Sequence, residues 1–227
     1  MTKIALLPMK ANSQRVPGKN FREFAGKPLF AWILDTLLAV EEISKIVINT
    51  DARDELEASG LKTCKRVDVQ KRPTDLCGDA VSMNRILAHD IATNPADTYL
   101  MTHTTNPFLS VGSIEAALAS YEQGLRNGHD SLFTVDPVQM RFYKEDVIPV
   151  NHDPDNLIQT QDLEPWYAEN SNLYIFSRAS FHATNARIGK NPIMMPTPKY
   201  ESVDIDTADD WFFAEALANA RLTDEEL

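Results

Sequence analysis

The chain has 227 residues, 43% of them hydrophobic and 24% charged, with a formal net charge of −11. That length and balance suit one large domain with a full core and exclude the disordered and fibrous classes. The acidic surplus excludes broad contact with a nucleic-acid backbone, which needs displaced counterions and many Lys and Arg, but it leaves room for a nucleotide held by a few local cations.

The first elements read as strand, loop and helix. Residues 3–7 form a compact apolar run, residues 8–26 are polar and rich in turn formers, and residues 28–40 carry Phe30, Ile33, Leu34, Leu37 and Leu38 at helical spacing. A β-branched strand at 45–49 follows, completing a β-loop-α-β unit of the usual right-handed parallel kind. The alternation continues with a helix at 82–93, a strand at 98–101, a helix at 111–121 and a strand at 131–135. Prolines 137, 149, 154 and 165 then break the pattern, so 136–169 reads as loops and short antiparallel pieces: an arm, a lid or a partner-contact region. A short strand at 173–176 and a helix at 208–222 close the chain. The order predicts an α/β fold in which a mostly parallel sheet is covered by helices on both faces, organised as one domain over 1–227.

No apolar run is long enough to cross a bilayer, and residues 1–10 lack the long apolar stretch and cleavage site of a secretory signal, so a cytoplasmic location is expected. Cys64 and Cys77 supply neither a disulfide framework nor a zinc site.

Chemistry concentrates in the first loop, because open parallel sheets bind ligands at the carboxyl ends of their strands. Residues 8–20 read Pro-Met-Lys-Ala-Asn-Ser-Gln-Arg-Val-Pro-Gly-Lys-Asn, so Lys10, Arg15 and Lys19 share one long turn with the donors Asn12 and Ser13. Three cations there could enclose a polyphosphate and balance charge on a leaving pyrophosphate, although a solvated basic loop has the same composition. Neither the dinucleotide glycine spacing nor the P-loop ending is present. Near the far end, Asp204 and Asp206 alternate with Ile205 and would face one side of an extended segment. Two carboxylates so placed suit Mg²⁺, while Asp206 or Thr207 could equally cap the helix that follows.

These segments resemble the signature of the CMP-sialic acid synthetase family, the acylneuraminate cytidylyltransferases, whose loop runs Pro-Ala-Arg-Gly-Gly-Ser-Lys-Gly-Ile-Pro-x-Lys-Asn. Pro8, Ser13, Pro17, Lys19 and Asn20 match in register, and Gly26-Lys27-Pro28-Leu29 follows at the expected distance. Further landmarks recur in order: Arg72-Pro73 with Leu76, Asp79 and Ser82; residues 104–107; Asn170 with Tyr174; and the Asp-Ile-Asp-Thr run at 204–207. Together they span about residues 3–217.

The resemblance implies a three-layer Rossmann-like nucleotide-diphospho-sugar transferase fold with a small dimerisation arm, and a homodimer. It implies that CTP and an acidic sugar react with Mg²⁺ present to give a CMP-sugar and pyrophosphate. By position, Pro8, Lys10, Ala11, Asn12, Ser13, Arg15, Lys19, Asn20, Arg72, Asp79 and Ser82 would hold the nucleotide. His103, Thr104, Thr105, Arg141, Lys144, Asn170 and Tyr174 would face the acceptor, Asp204 and Asp206 the metal, and Lys10, Lys19 and Asp206 would be catalytic. Ser82 also reads as a plain N-cap, and Arg72 as turn chemistry. The chain departs from the pattern at Lys10 for arginine, Ala11-Asn12 for Gly-Gly and His103 for glutamine. Residues 15–19 also resemble the Kdo cytidylyltransferases, so the acceptor stays open between sugar acids and other small anions such as phosphonates. A non-catalytic nucleotide binder on the same fold is a further alternative.

Overall fold

The computed structural model describes residues 1–11, 13–61 and 64–224. Its chain runs β1 (Lys3–Leu6), β2 (Glu23–Phe24), β3 (Lys27–Pro28), α1 (Leu29–Ala39), β4 (Lys45–Thr50), α2 (Arg53–Ala58), β5 (Val67–Lys71) and α3 (Met83–Thr93). It continues through β6 (Thr98–Met101), α4 (Val111–Arg126), β7 (Ser131–Val138), β8 (Trp166–Phe176), α5 (Arg178–Thr184), β9 (Pro192–Pro196) and α6 (Ala208–Asp224). Seven strands form one sheet in the order β5-β4-β1-β6-β8-β7-β9, and β2 pairs with β3 in a separate hairpin. β8 is antiparallel to both neighbours, and the other pairings are parallel, so every strand of the sheet except β8 runs the same way.

Side-chain alternation divides the core into two layers. Ala5, Ile46, Ile48, Leu100 and Ile175 face α1 and α4, meeting Ile33, Leu37, Ile114 and Leu118. Ile4, Leu6, Val47, Tyr99, Met101 and Phe176 face the other way, onto Leu87 and Ile91 of α3 and Phe181 of α5. The predicted three-layer α/β arrangement with a mostly parallel sheet is the one observed. A third cluster packs Trp211 and Ala214 of α6 on Val16, Phe24, Phe108 and Ile205, which fastens the end of the chain over the first loop.

Besides the small β2–β3 hairpin, four elements escape the periodicity reading: α2, β5, α5 and β9. The first three are short or mostly polar, and β9 is an edge strand bounded by prolines, which lack the donor a central strand needs. The 136–169 segment is also more regular at its ends than its prolines suggest. β7 reaches Val138 and β8 begins at Trp166, forming a long antiparallel ribbon whose register shifts between Phe133 and Val135. Residues 166–169 are exposed, so no buried face marks them in the sequence. Between these strands lies an arm with an isolated bridge from Tyr143 to Pro149. Among the described residues no helix is long and apolar enough to cross a membrane.

Beneath the sheet's carboxyl end sits a buried polar chain. Asn49 donates its side-chain N–H to Asp90, whose second oxygen has no partner among the described residues. Burial pushes the Asp90 carboxyl up to about 6, against the hydrogen bond from Asn49 and the charges of His89 and Arg72. The native state therefore holds this proton more tightly than the unfolded chain, where an aspartate titrates near about 3.9. Its contribution favours the fold at the acid end and fades as pH rises through about 6. Urea unfolding at about pH 4.5 and pH 7 should show Asp90→Asn gaining stability relative to the parent protein between the two, because the amide has no charged form to bury. An unchanged difference would contradict the shifted titration.

Candidate active site

β1 and β6 are parallel neighbours from which the chain departs in opposite directions, to β4 on one side and, through α4, to β7 on the other. Such a switch point opens a crevice at the strands' carboxyl ends. The crevice here is a cavity of about 380 Å³, lined by Pro8, Met9, Lys10, Ser13, Gln14, Arg15, Lys19 and Asn20 of the first loop, Asp79 and Met83, His103 to Thr105 after β6, and Asp206.

Each of the three predicted cations meets a carboxylate at this cavity. Lys10 Nζ lies 3.0 Å from Asp79 Oδ1, and Gln14 Nε2 donates to the other oxygen of Asp79 at 2.6 Å. The hydrogen bond from Lys10 and its charge hold the Asp79 carboxyl below the usual range. Arg15 Nη2 lies 2.9 Å from Asp206 Oδ2, and Lys19 Nζ 3.2 Å from Asp206 Oδ1. Lys19 also donates to the carbonyl of Ile205 and is 7% exposed, whereas the Arg15 side chain is 63% exposed.

Ile205 is fully buried in the third cluster and Asp206 faces the cavity, as expected, but Asp204 is not beside it in the lining. The Asp204 Oδ1 is buried with no hydrogen-bond partner among the described residues, and burial raises its carboxyl pKa, with Asp206 adding to the effect and a bond from Thr105 opposing it. Capping of α6 falls to Thr207 instead. Thr207 and Asp210 bond reciprocally, the hydroxyl accepting from the Asp210 N–H at 3.2 Å and the carboxylate accepting from the Thr207 N–H at 2.7 Å, which leaves Asp206 free for the cavity.

Several predicted residues support the cavity rather than line it. Arg72 is 3% exposed and donates to the Asn49 side chain at 2.9 Å, the Asn49 carbonyl at 2.7 Å and the Met9 carbonyl at 3.0 Å. It is a strut from β4 to the start of the loop, and burial lowers its pKa. Asn20 both lines the cavity and braces it, donating to the Lys10 carbonyl at 2.7 Å and accepting from the Thr104 hydroxyl at 2.6 Å. Ala11 turns its N–H to Asp51 at 2.7 Å. Asn170 donates toward Asp136, Thr197 and Ser202 outside the cavity lining. Tyr174 is fully buried, and its hydroxyl donates to Glu169.

Ser82 precedes α3 in an extended conformation without a side-chain cap bond and borders a separate cleft with Met83, Asn84 and Arg187. Arg141 and Lys144 lie in the arm, where Arg141 donates to the Ile158 carbonyl at 2.6 Å. Asn12 falls outside the described residues.

Burial, reinforced by the Arg187 charge, lowers the His103 pKa to about 4, against the pull of Asp206. The imidazole is therefore neutral near pH 7. Its Nε2 stands 3.4 Å from Arg187 Nη1, so that nitrogen accepts and the proton sits on Nδ1.

Residues 4–217 match the family described as Cytidylyltransferase. The chain belongs to this family. It is accordingly a nucleotidyltransferase. An N-acylneuraminate cytidylyltransferase of Oncorhynchus mykiss is 28% identical over 93% of this chain but only 49% of that protein, so the chain spans about half its length. A CMP-N,N'-diacetyllegionaminic acid synthase of Legionella pneumophila is 26% identical over 94% of this cytidylyltransferase and 95% of its own length. A pseudaminic acid cytidylyltransferase of Campylobacter jejuni is 23% identical over 96% of each. Among solved structures, a 4-diphosphocytidyl-2C-methyl-D-erythritol synthase of Anaerococcus prevotii superposes with a TM-score of 0.68 at 16% identity, covering 96% of each chain. A CMP:2-keto-3-deoxy-manno-octonic acid synthetase crystallised with CTP gives 0.67 at 13%, covering 97% of this chain and all of the other. At those identities both share the fold.

Gln14, Asn49, Asp51, Asp90, Glu169 and Arg187 were not singled out by motif. Asn49 and Asp51 flank the end of a strand that was read correctly, which is a usable signal for ligand-side residues in a parallel sheet. Arg187 lies in the turn after an unpredicted helix, and nothing local marks it. The strut role of Arg72 is checked by Arg72→Met in the unliganded protein. Losing three buried hydrogen bonds is expected to lower stability by about 2–4 kcal/mol in urea unfolding. A purely ligand-contacting arginine would leave the unliganded stability unchanged.

Proposed function

We propose that this chain transfers the cytidylyl group of CTP to the anomeric hydroxyl of a 2-keto-3-deoxy sugar acid of the sialic-acid-like, nonulosonate kind, releasing pyrophosphate. The observation that carries the reading is the convergence, at the carboxyl ends of β1 and β6, of Lys10, Arg15 and Lys19 with Asp206 around one cavity. The full-length bacterial relatives act, by their names, on legionaminic and pseudaminic acids, which favours a nonulosonate acceptor.

Transfer of this type needs little covalent chemistry from the protein and is governed by positioning and charge neutralisation. Lys10 and Arg15 are partly exposed at the cavity wall, and their carboxylate partners can be exchanged for phosphate oxygens at small cost, because exposed ion pairs contribute little. Ser13, which lines the cavity, adds a neutral donor. Lys19, buried between Ile205 and Asp206, keeps its charge at a fixed point where negative charge grows on the leaving group.

A divalent cation fits the acidic side of the cavity. Asp204 has a buried oxygen without a hydrogen-bond partner among the described residues, and burial, with Asp206 beside it, raises its carboxyl pKa. Among the described residues no three His, Cys, Asp or Glu side chains could hold a metal together, so Asp204 and Asp206 would share Mg²⁺ with water and substrate oxygens, as that ion prefers. The ion would supply charge stabilisation between the triphosphate and the attacking hydroxyl.

The reading includes a homodimer. Met140, Tyr143, Val147, Ile148, Leu157, Trp166 and Tyr167 are large apolar side chains exposed on the arm and the adjoining strand, a concentration that suits coverage by a second copy. Arg141 and Lys144 would then approach the neighbour's cavity. Light scattering at working concentration should give twice the chain mass, and a monomer would remove this part of the proposal.

Pyrophosphate release from CTP is to be screened against 2-keto-3-deoxy sugar acids and phosphonates. The expected result is turnover with a nonulosonate, and release with phosphonates alone would move the acceptor class. Asp206→Asn, which keeps the side chain's shape and removes its charge, should lower kcat at least about 100-fold without loss of fold. Activity near that of the parent protein would remove Asp206 from the chemistry.

A further inference from the structure

Lys10, Arg15 and Lys19 are each paired with a carboxylate at the cavity, and a separate basic centre stands behind His103. Arg187 follows α5, and its guanidinium carbon lies 3.8 Å from the centroid of the Tyr174 ring. Nη1 points to His103 Nε2 at 3.4 Å and to Met101 Sδ at 3.9 Å, while Nη2 meets Glu169 Oε1 at 3.1 Å. That same carboxylate oxygen accepts the Tyr174 hydroxyl. His103 borders the main cavity, Arg187 borders the separate cleft, and Met83 lines both, so one side chain stands between the two spaces while the Arg187–His103 contact links their walls.

Stacking on an aromatic face fixes the plane of a guanidinium and presents its N–H edge, the geometry that receives a carboxylate through two parallel bonds. Five N–H groups are available and the contacts above engage three, which leaves two. The Glu169 side chain is 41% exposed and that of Arg187 20%, so their pair sits at a wetted edge and is readily exchanged. His103, neutral and accepting from Arg187 through Nε2, carries its proton on Nδ1.

We propose that Arg187 is the specificity residue of the acceptor subsite, taking the carboxylate of the incoming sugar acid on its free edge, with Glu169 as the internal anion that gives way. The assignment rests on the sugar-acid reading above and names the group in this chain that would recognise the acid. A role confined to packing on Tyr174 would give Arg187 no preference among acceptors that differ only at the carboxylate.

The test compares pyrophosphate release with the sugar acid the protein uses best and with the carboxamide of the same sugar, for the parent protein, Arg187→Met, Arg187→Lys and Glu169→Gln. Arg187→Met keeps apolar contact with Tyr174 and should raise KM for the acid about 30-fold, with kcat and KM for CTP within about 3-fold, as loss of a charge-assisted pair implies. The preference for acid over amide should fall by a similar factor. Arg187→Lys should lie between, keeping charge without the planar fork. Glu169→Gln should lower KM for the acid by removing the competing anion. An unchanged acid-to-amide ratio in the arginine variants overturns the assignment, as does a rise in KM for the acid in Glu169→Gln. If Arg187→Met fails to fold, the ratio in Arg187→Lys decides. A parent protein that releases no pyrophosphate with any sugar acid overturns the functional reading together with this assignment, whereas an active parent with unaltered ratios in its variants overturns this assignment alone.

Discussion

One buried ammonium joins the two ends of the chain. Lys19 leaves the first loop, enters a pocket where it is almost wholly shielded from water, and bonds both the Ile205 carbonyl and the Asp206 carboxylate. A buried cation is costly unless its donors are satisfied, so the pair is stable only when residues 19, 205 and 206 meet. Ile205 makes that meeting obligatory by filling the third apolar cluster with Trp211 and Val16. Hydrophobic burial thus fixes where the far segment lies, and the lysine fixes which way its aspartate points.

Around this anchor the charges divide by burial. Lys19 is held inside and keeps a fixed position, while Lys10 and Arg15 sit at the rim with carboxylates that a ligand can replace. Exposed pairs of this sort add little to stability, so their exchange for phosphate oxygens sacrifices little of the fold. The same division recurs around Arg187, where buried Tyr174 holds the plane of the guanidinium and half-exposed Glu169 occupies its edge. A rigid inner part and an exchangeable outer part keep the cavity's cations paired within the protein and available to an anion.

The first loop lacks the paired glycines of the sequences it resembles, and the struts around it supply a physical reason why it need not be held by its own backbone turns. Asp51 takes the Ala11 N–H, Asn20 ties the Lys10 carbonyl to Thr104, and Arg72 ties the Met9 carbonyl to Asn49 and so to Asp90. Side chains from β4, from the segment after β5 and from the loop after β6 thereby set the course of the loop. Among the described residues of the loop, Gly18 takes a positive φ, +63°, where the chain turns back toward Lys19.

The sequence by itself determined the alternation of strands and helices, because an apolar stripe every three or four residues and a compact β-branched run each have one favourable way to be buried. It also determined which residues carry charge in the first loop, which follows from a single segment, whereas the expectation that Asp204 and Asp206 face one side met a structure in which only Asp206 of the two lines the cavity. Arg72, Arg141, Lys144 and Arg187 were different. All four are arginine or lysine in segments of irregular structure, and only tertiary structure separated a buried strut, two arm residues and a cation stacked on Tyr174. Their neighbours come from elements far away in the chain: Arg187 and His103 are 84 positions apart, Arg72 and Met9 63. Sheet order decides which strand ends stand side by side, and it is set by the burial of the whole core, which no local pattern encodes.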